Sequence, residues 1–283
     1  MSLSIQSLTL RADLDLTSGA ILRNSECRNP IKSYKSIMKP IRIGILLPST
    51  NQVVEPDFMA LVPPGITFHT ERLWNVNQTP PGGGDGTYLQ SMNNDLKRGV
   101  TSLISANLDI LVYACTSGTY HSGDIEYNKV ITDKIQRMSG LPTITAITAS
   151  IEALASISPG KVSIIGPYGQ ELLTKRLTPL LESQGFSVIE ARGESSMLQR
   201  THDSVIGDQD PELIYDFVIN SVHPKADTIF LPGTAWRTLE IVQRLEERLQ
   251  RRVISVNQAT IWSTFKKLGV SNIISGFGSL FDF

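Results

Sequence analysis

Short apolar runs alternate with longer segments of helical spacing from residue 41 to the end of the chain. Ile41–Pro48 (IRIGILLP) is nearly all apolar and stops at a polar Ser-Thr-Asn turn. That is the pattern of a parallel strand buried on both faces. A short helix over Glu55–Leu61 and a strand over Ile66–Leu73 follow. Asn75–Gly86 holds NQTPPGGGDG, a loop by composition. The spacing then predicts a helix over Tyr88–Ser105, a strand over Leu108–Ala114, a helix over Asp124–Met138 and a strand over Pro142–Ile147.

The same order then recurs. Lys161–Pro167 reads as a strand, Glu171–Gln184 as a helix stopped by Gly185, and Ser187–Ala191 as a strand. A polar connection over 193–210 leads to a helix at Pro211–Val222 and a strand at Asp227–Pro232. A helix at Thr238–Gln250, a strand at Val253–Val256 and a helix from Asn257 to Leu268 complete the series. Alternating short strands and helices imply parallel sheets covered on both faces.

The repeat has a register. Pro48 ends the first strand of one half and Pro167 its counterpart in the other. Asp109 is followed six residues later by Cys115-Thr116, and Asp227 six residues later by Gly233-Thr234. Pro48 to Cys115 is 67 residues and Pro167 to Gly233 is 66, which points to duplicated halves. Ligands of open α/β sheets bind beyond the carboxyl ends of the strands. Two such halves facing each other put the Cys115 and Gly233 loops on opposite walls of one cleft. The expected division is a first α/β domain over 39–150, with 262–283 packing back on it, and a second over 151–261.

Composition narrows the function. The 283 residues are 41% hydrophobic and 19% charged, with a formal net charge of -1. Nothing draws such a chain to nucleic acid or an anionic membrane. The two cysteines, Cys27 and Cys115, suggest a reducing, cytoplasmic setting rather than a disulfide scaffold. Residues 1–38 lack periodicity and mix Arg11, Arg23 and Arg28 with Asp13, Asp15 and Glu26, unlike a transit peptide. They read as a disordered or surface-packed extension. No glycine-rich nucleotide fingerprint follows a strand, and no His/Cys cluster has metal spacing.

Cys115 stands where a strand turns toward a helix, and backbone N–H groups there can stabilise a thiolate. Thr116, Ser117 and Gly118 would supply donors and room, and Tyr120 and His121 a phenol and an imidazole. Against this, a lone Cys after an apolar strand is commonly a small core residue. Asn51 can hold a carboxylate or simply cap a turn. Tyr168, in the matching place of the second half, can donate its O–H or pack at an interface. Thr234 is a donor or a cap, and Arg237 an anion clamp or a solvated first-turn residue. His202 and Asp203 read as loop residues.

At these positions the chain resembles the cofactor-free Asp/Glu racemase superfamily, nearest its maleate isomerase branch. PSTNQVVEPDF (Pro48–Phe58), YACTSGT (Tyr113–Thr119), GPY (Gly166–Tyr168), FLPGTAWRTLEIVQRLE (Phe230–Glu246) and VISVNQATIW (Val253–Trp262) carry the resemblance, in order, from Ile41 to the carboxyl terminus. It implies two pseudo-symmetric Rossmann-like (flavodoxin-like) α/β domains with parallel sheets, a cleft between them, and no metal or organic cofactor. It implies Cys115 as the nucleophile or acid/base, and Asn51 and Tyr168 as carboxylate binders, Tyr168 being counted with Cys115 as catalytic. Thr116, Ser117, Gly233, Thr234 and Arg237 complete the expected substrate site. Racemases of this kind use two cysteines; here the second position is Gly233, so two-thiol racemisation is not expected.

The expected function is therefore a cofactor-independent isomerase of a small unsaturated dicarboxylate, using one thiolate. A decarboxylase of a malonate-like acid, or a specialised non-catalytic binding protein, stands as the alternative. A small carboxylate is the expected partner, and a homodimer the expected assembly.

Overall fold

The computed structural model describes residues 39–77, 87–122, 124–194, 204–270 and 274–283. The extension 1–38, most of the Asn75–Gly86 loop, and His202 and Asp203 lie outside the described residues.

The first half contains β1 (Ile41–Pro48), α1 (Val54–Leu61), β2 (Ile66–Leu73), α2 (Thr87–Asn94), α3 (Leu96–Ile104), β3 (Ile110–Tyr113), α4 (Ser117–Tyr120), α5 (Ile125–Ser139), β4 (Thr143–Thr145) and α6 (Ala146–Ile157). The second contains β5 (Val162–Gly166), α7 (Gln170–Leu172), a π turn (Leu173–Leu177), α8 (Thr178–Ser183), β6 (Val188–Gly193), α9 (Ser204–Gly207), α10 (Pro211–Ser221), β7 (Thr228–Leu231), α11 (Val242–Leu249), β8 (Arg252–Ser255) and α12 (Val256–Leu268). A short 3-10 turn, Ser279–Asp282, ends the chain.

Each half holds one four-stranded parallel sheet, ordered β2-β1-β3-β4 and β6-β5-β7-β8. The two orders are the same once corresponding strands are matched, so the chain is α/β with two pseudo-symmetric, Rossmann-like halves. Strand alternation sends β1 and β3 side chains to two cores. Ile43, Ile45, Ile110 and Val112 enter one; Leu46, Leu111, Tyr113 and Cys115 enter the other, under α2, α3 and α5.

α6 and α12 join the halves reciprocally. α6 leaves the first sheet, yet Ile147, Ala153 and Leu154 pack in a core with β5 and β7 residues. α12 leaves the second sheet, yet Ile261 and Phe265 pack with β1 and β3 residues. The expected division after residue 150 falls inside α6.

Several elements differ from the expected bounds. The apolar run Pro142–Ile147 is divided between β4 and α6, because the Thr145 side chain accepts from Thr148 N–H and caps the helix at Ala146. The expected helix over Tyr88–Ser105 is interrupted at Asp95. Its carboxylate accepts from Trp74 N–H at 2.8 Å and from Arg98, which ties the break to the end of β2. The helix predicted from Thr238 begins at Val242, after a turn. No helix among the described residues is long and apolar enough to cross a membrane.

Candidate active site

β1 and β3 run side by side with Leu46 opposite Tyr113, then diverge, one into the Asn51 loop and the other into Cys115. β5 and β7 do the same in the second half, with Ile164 opposite Phe230. Each is the point where the strand order reverses, the usual place for a ligand in an open α/β sheet. Two hydrogen bonds bring these points together. Thr116 Oγ1 donates to Pro232 O at 2.7 Å, and Asn51 Nδ2 donates to Thr234 Oγ1 at 3.4 Å. The Cys115 and Gly233 loops therefore abut.

Cys115 is buried, 4% exposed. Its surroundings are not those of a core hydrophobe alone. Ser117 Oγ lies 3.8 Å from the sulfur, and the Tyr113 hydroxyl neighbours it from the strand side. Gly118 closes over both. A Cβ there would stand 3.1 Å from the sulfur and 2.2 Å from Tyr113 Oη, so only glycine fits. Behind the thiol, Tyr113 Oη donates to Asn93 Oδ1 at 2.6 Å. The Asn93 amide in turn donates to Gly118 O at 2.9 Å and to Tyr127 Oη at 3.2 Å. Full burial pushes the Tyr113 phenol well above its ordinary range, with the neighbouring Cys115 adding to it.

Asn51 plays both of its expected parts. Its Oδ1 accepts from Val53 and Val54 N–H, each at 2.9 Å, and fixes the start of α1. Its amide N–H2 is thereby turned toward the second half and Thr234. Arg72 braces the same loop, donating to Asn51 O at 2.7 Å and Ser49 O at 3.0 Å while ion-paired to Glu55.

On the opposite wall Gly233 is closely packed. A Cβ would stand 2.8 Å from Pro167 Cγ and 2.9 Å from Trp236 Cβ. The glycine is thus required by the approach of Pro167, and a side chain there would need that ring to move. Tyr168 follows on the same loop, partly buried against the core that holds Tyr120. The Thr116 hydroxyl is committed to Pro232 and acts as a strut between halves. Arg237 is half-exposed, its guanidinium forked onto Glu240 at 2.9 and 3.2 Å. His121 packs edge-on against Tyr127, and desolvation lowers its pKa below 6.5.

A further pair escaped sequence reasoning. Asp57 on α1 is buried and accepts from Asn257 Nδ2 at 2.7 Å, and the same amide donates to Thr234 O at 3.0 Å. Desolvation, with Glu240 adding and Arg237 and the Asn257 bond opposing, raises Asp57 to about 7. A signal was present: Asp57 shares the inward face of α1 with Val54 and Leu61, at helical spacing. Among the described residues no three His, Cys, Asp or Glu side chains converge as a metal site requires.

The chain is similar to known proteins along most of its length. A family model described as arylmalonate decarboxylase matches residues 43–281. Maleate isomerase of Alcaligenes faecalis is 25% identical over 257 residues, covering 86% of this chain and 97% of its own. The crystal structure of the maleate isomerase Iso from Pseudomonas putida S16 superposes with a TM-score of 0.76 at 23% identity, covering 86% of this chain and 98% of that one. A cysteine-to-serine variant of Nocardia farcinica maleate cis-trans isomerase, carrying a covalently bound succinylcysteine intermediate, superposes with a TM-score of 0.72 at 21% identity, over 85% and 98% of the two chains.

Proposed function

The chain belongs to the arylmalonate decarboxylase family, and from that membership we propose that it is a cofactor-independent cis-trans isomerase of a small unsaturated dicarboxylate, maleate first, working through the single thiolate of Cys115. The observation that carries the reading is the position of Cys115, flanked by hydroxyls where the two reversal points abut.

The chemistry needs one thiol. The thiol first gives its proton to solvent water; the thiolate sulfur then adds to one alkene carbon, and the π pair moves onto the adjacent carbon and its carboxylate. The central bond is then single and rotates. The pair returns, the double bond re-forms in the trans geometry, and the C–S bond breaks. No proton is consumed between addition and expulsion, so glycine at 233 does not block the cycle. The Asn51 N–H2 and the Tyr168 hydroxyl are assigned to the two carboxylates. Ser117 and the backbone N–H groups of Thr116, Gly233 and Thr234 are assigned to the charge that develops on them. Arg237 can serve a carboxylate only by leaving Glu240.

A second reading has its own support in the family model and the lone thiol: decarboxylation of a malonate-like acid. There the C–COO⁻ bond breaks, CO2 leaves with the pair retained as an enolate, and the Cys115 S–H protonates it on one face. A substrate panel followed by proton NMR in D2O separates the two. Isomerisation gives fumarate with protium at both vinyl carbons; decarboxylation gives deuterium at the α-carbon. Dicarboxylate binding without either reaction, and unchanged after thiol alkylation, would contradict both. A homodimer is the assembly we expect, checked by sedimentation velocity, and a reduced, cytoplasmic setting suits a working thiol.

A further inference from the structure

Tyr120 ends α4, five residues beyond Cys115. Its ring is fully buried and packs in the second half's core with Ile147, Leu173 and Leu177, with Tyr168 against the same cluster. That packing accounts for the ring. It does not account for the oxygen. Tyr120 Oη is buried and has no hydrogen-bond partner among the described residues. Leaving a buried hydroxyl unpaired costs about 1–3 kcal/mol, and buried tyrosines ordinarily satisfy theirs. Phenylalanine would fill the same space without that cost.

The fold sets the hydroxyl near the site: Tyr120 ends the helix that starts two residues after Cys115, and Tyr168 packs against the same cluster as its ring. Desolvation raises the phenol well above its ordinary range, and Tyr168 and Cys115 are the neighbours that add to the effect. It is a neutral O–H donor near Cys115, to which the attack on the alkene is assigned, and Tyr168, which is assigned to a carboxylate. We propose that Tyr120 touches the substrate, its hydroxyl donating a hydrogen bond to a carboxylate oxygen of the dicarboxylate attacked by Cys115. A neutral donor suits this place. Charge flows onto a carboxylate when the sulfur adds, and a fixed donor in a dry site strengthens as that charge grows. The inference rests on the assignment of Cys115 as nucleophile.

The test is Tyr120→Phe, read three ways. Turnover of the dicarboxylate should fall about 100-fold, mainly in kcat. The thermal midpoint should hold or rise, since an unpaired buried hydroxyl has been removed. Alkylation gives a readout that needs no turnover. Iodoacetate carries a carboxylate and iodoacetamide does not. The variant should lose several-fold in the iodoacetate rate at Cys115, with the iodoacetamide rate unchanged. If the wild type isomerises nothing, the proposed function fails while the alkylation ratio still decides Tyr120. An unchanged ratio overturns the inference. So does an equal slowing of both reagents, which would place the hydroxyl on the thiol. A stability loss with full turnover in the folded protein would make it a structural hydroxyl and also overturn it.

Discussion

Asp57 carries a pH signature that one substitution can expose. Its carboxyl is raised from 3.8 to about 7, chiefly by burial. A raised acid holds its proton in the folded state while the unfolded chain releases it. Stability from this group is therefore full below about pH 4, is lost as pH rises toward about 7, and stays lost above that, a span of a few kcal/mol. The neutral acid has a hydrogen to donate, and Asn257 Oδ1 is a buried acceptor with no partner among the described residues. Asp57→Asn should flatten that slope and be the more stable protein at mildly alkaline pH, as urea midpoints across the range would show. Tyr113→Phe should act oppositely at all these pH values. It strands the buried Asn93 carbonyl oxygen, and should cost about 1–3 kcal/mol by the same measurement. Cys115 and Asn51 could be singled out in the chain as candidates because a motif surrounds them. The Asp57–Asn257 and Tyr113–Asn93 bonds could not, since 200 and 20 residues separate the partners and only the fold brings them together.

At the scale of elements, the helices that follow the fourth strands matter most. Both begin with a side-chain cap at the last strand residue: Thr145 for α6, and Ser255, in a full capping box with Gln258, for α12. α12 buries nearly its whole first three turns, so its start fixes both cores and Asn257. Ser255→Ala should cost about 1 kcal/mol, seen as a lower denaturation midpoint. Where the pattern misled, the physics is specific. Pro142–Ile147 is a short apolar run, and periodicity alone cannot divide such a run between strand and helix. The cap at Thr145 makes the division. The break at Asp95 has no glycine or proline to announce it. It comes from contacts with Trp74 and Arg98, which lie just beyond the end of β2 and on the next turn.

At the scale of the molecule, two sheets of equal order and a nearly equal spacing, 67 and 66 residues, made the fold and the meeting of the loops readable from the chain. What the spacing concealed was how tightly they meet. Gly233 was legible as a missing thiol but not as a packing requirement. Gly233→Ala should destabilise the protein by about 1–3 kcal/mol, through contact with Pro167 and Trp236, as thermal denaturation would show. Gly233→Cys should cost more and create no two-thiol racemase. The central claim is that one thiol, Cys115, carries the reaction. Its most direct test is turnover of maleate by Cys115→Ala beside the wild type, with intact-protein mass spectrometry of both. The wild type should form fumarate and a one-maleate adduct at Cys115, and the variant neither. Undiminished fumarate formation by a folded Cys115→Ala protein would contradict the account.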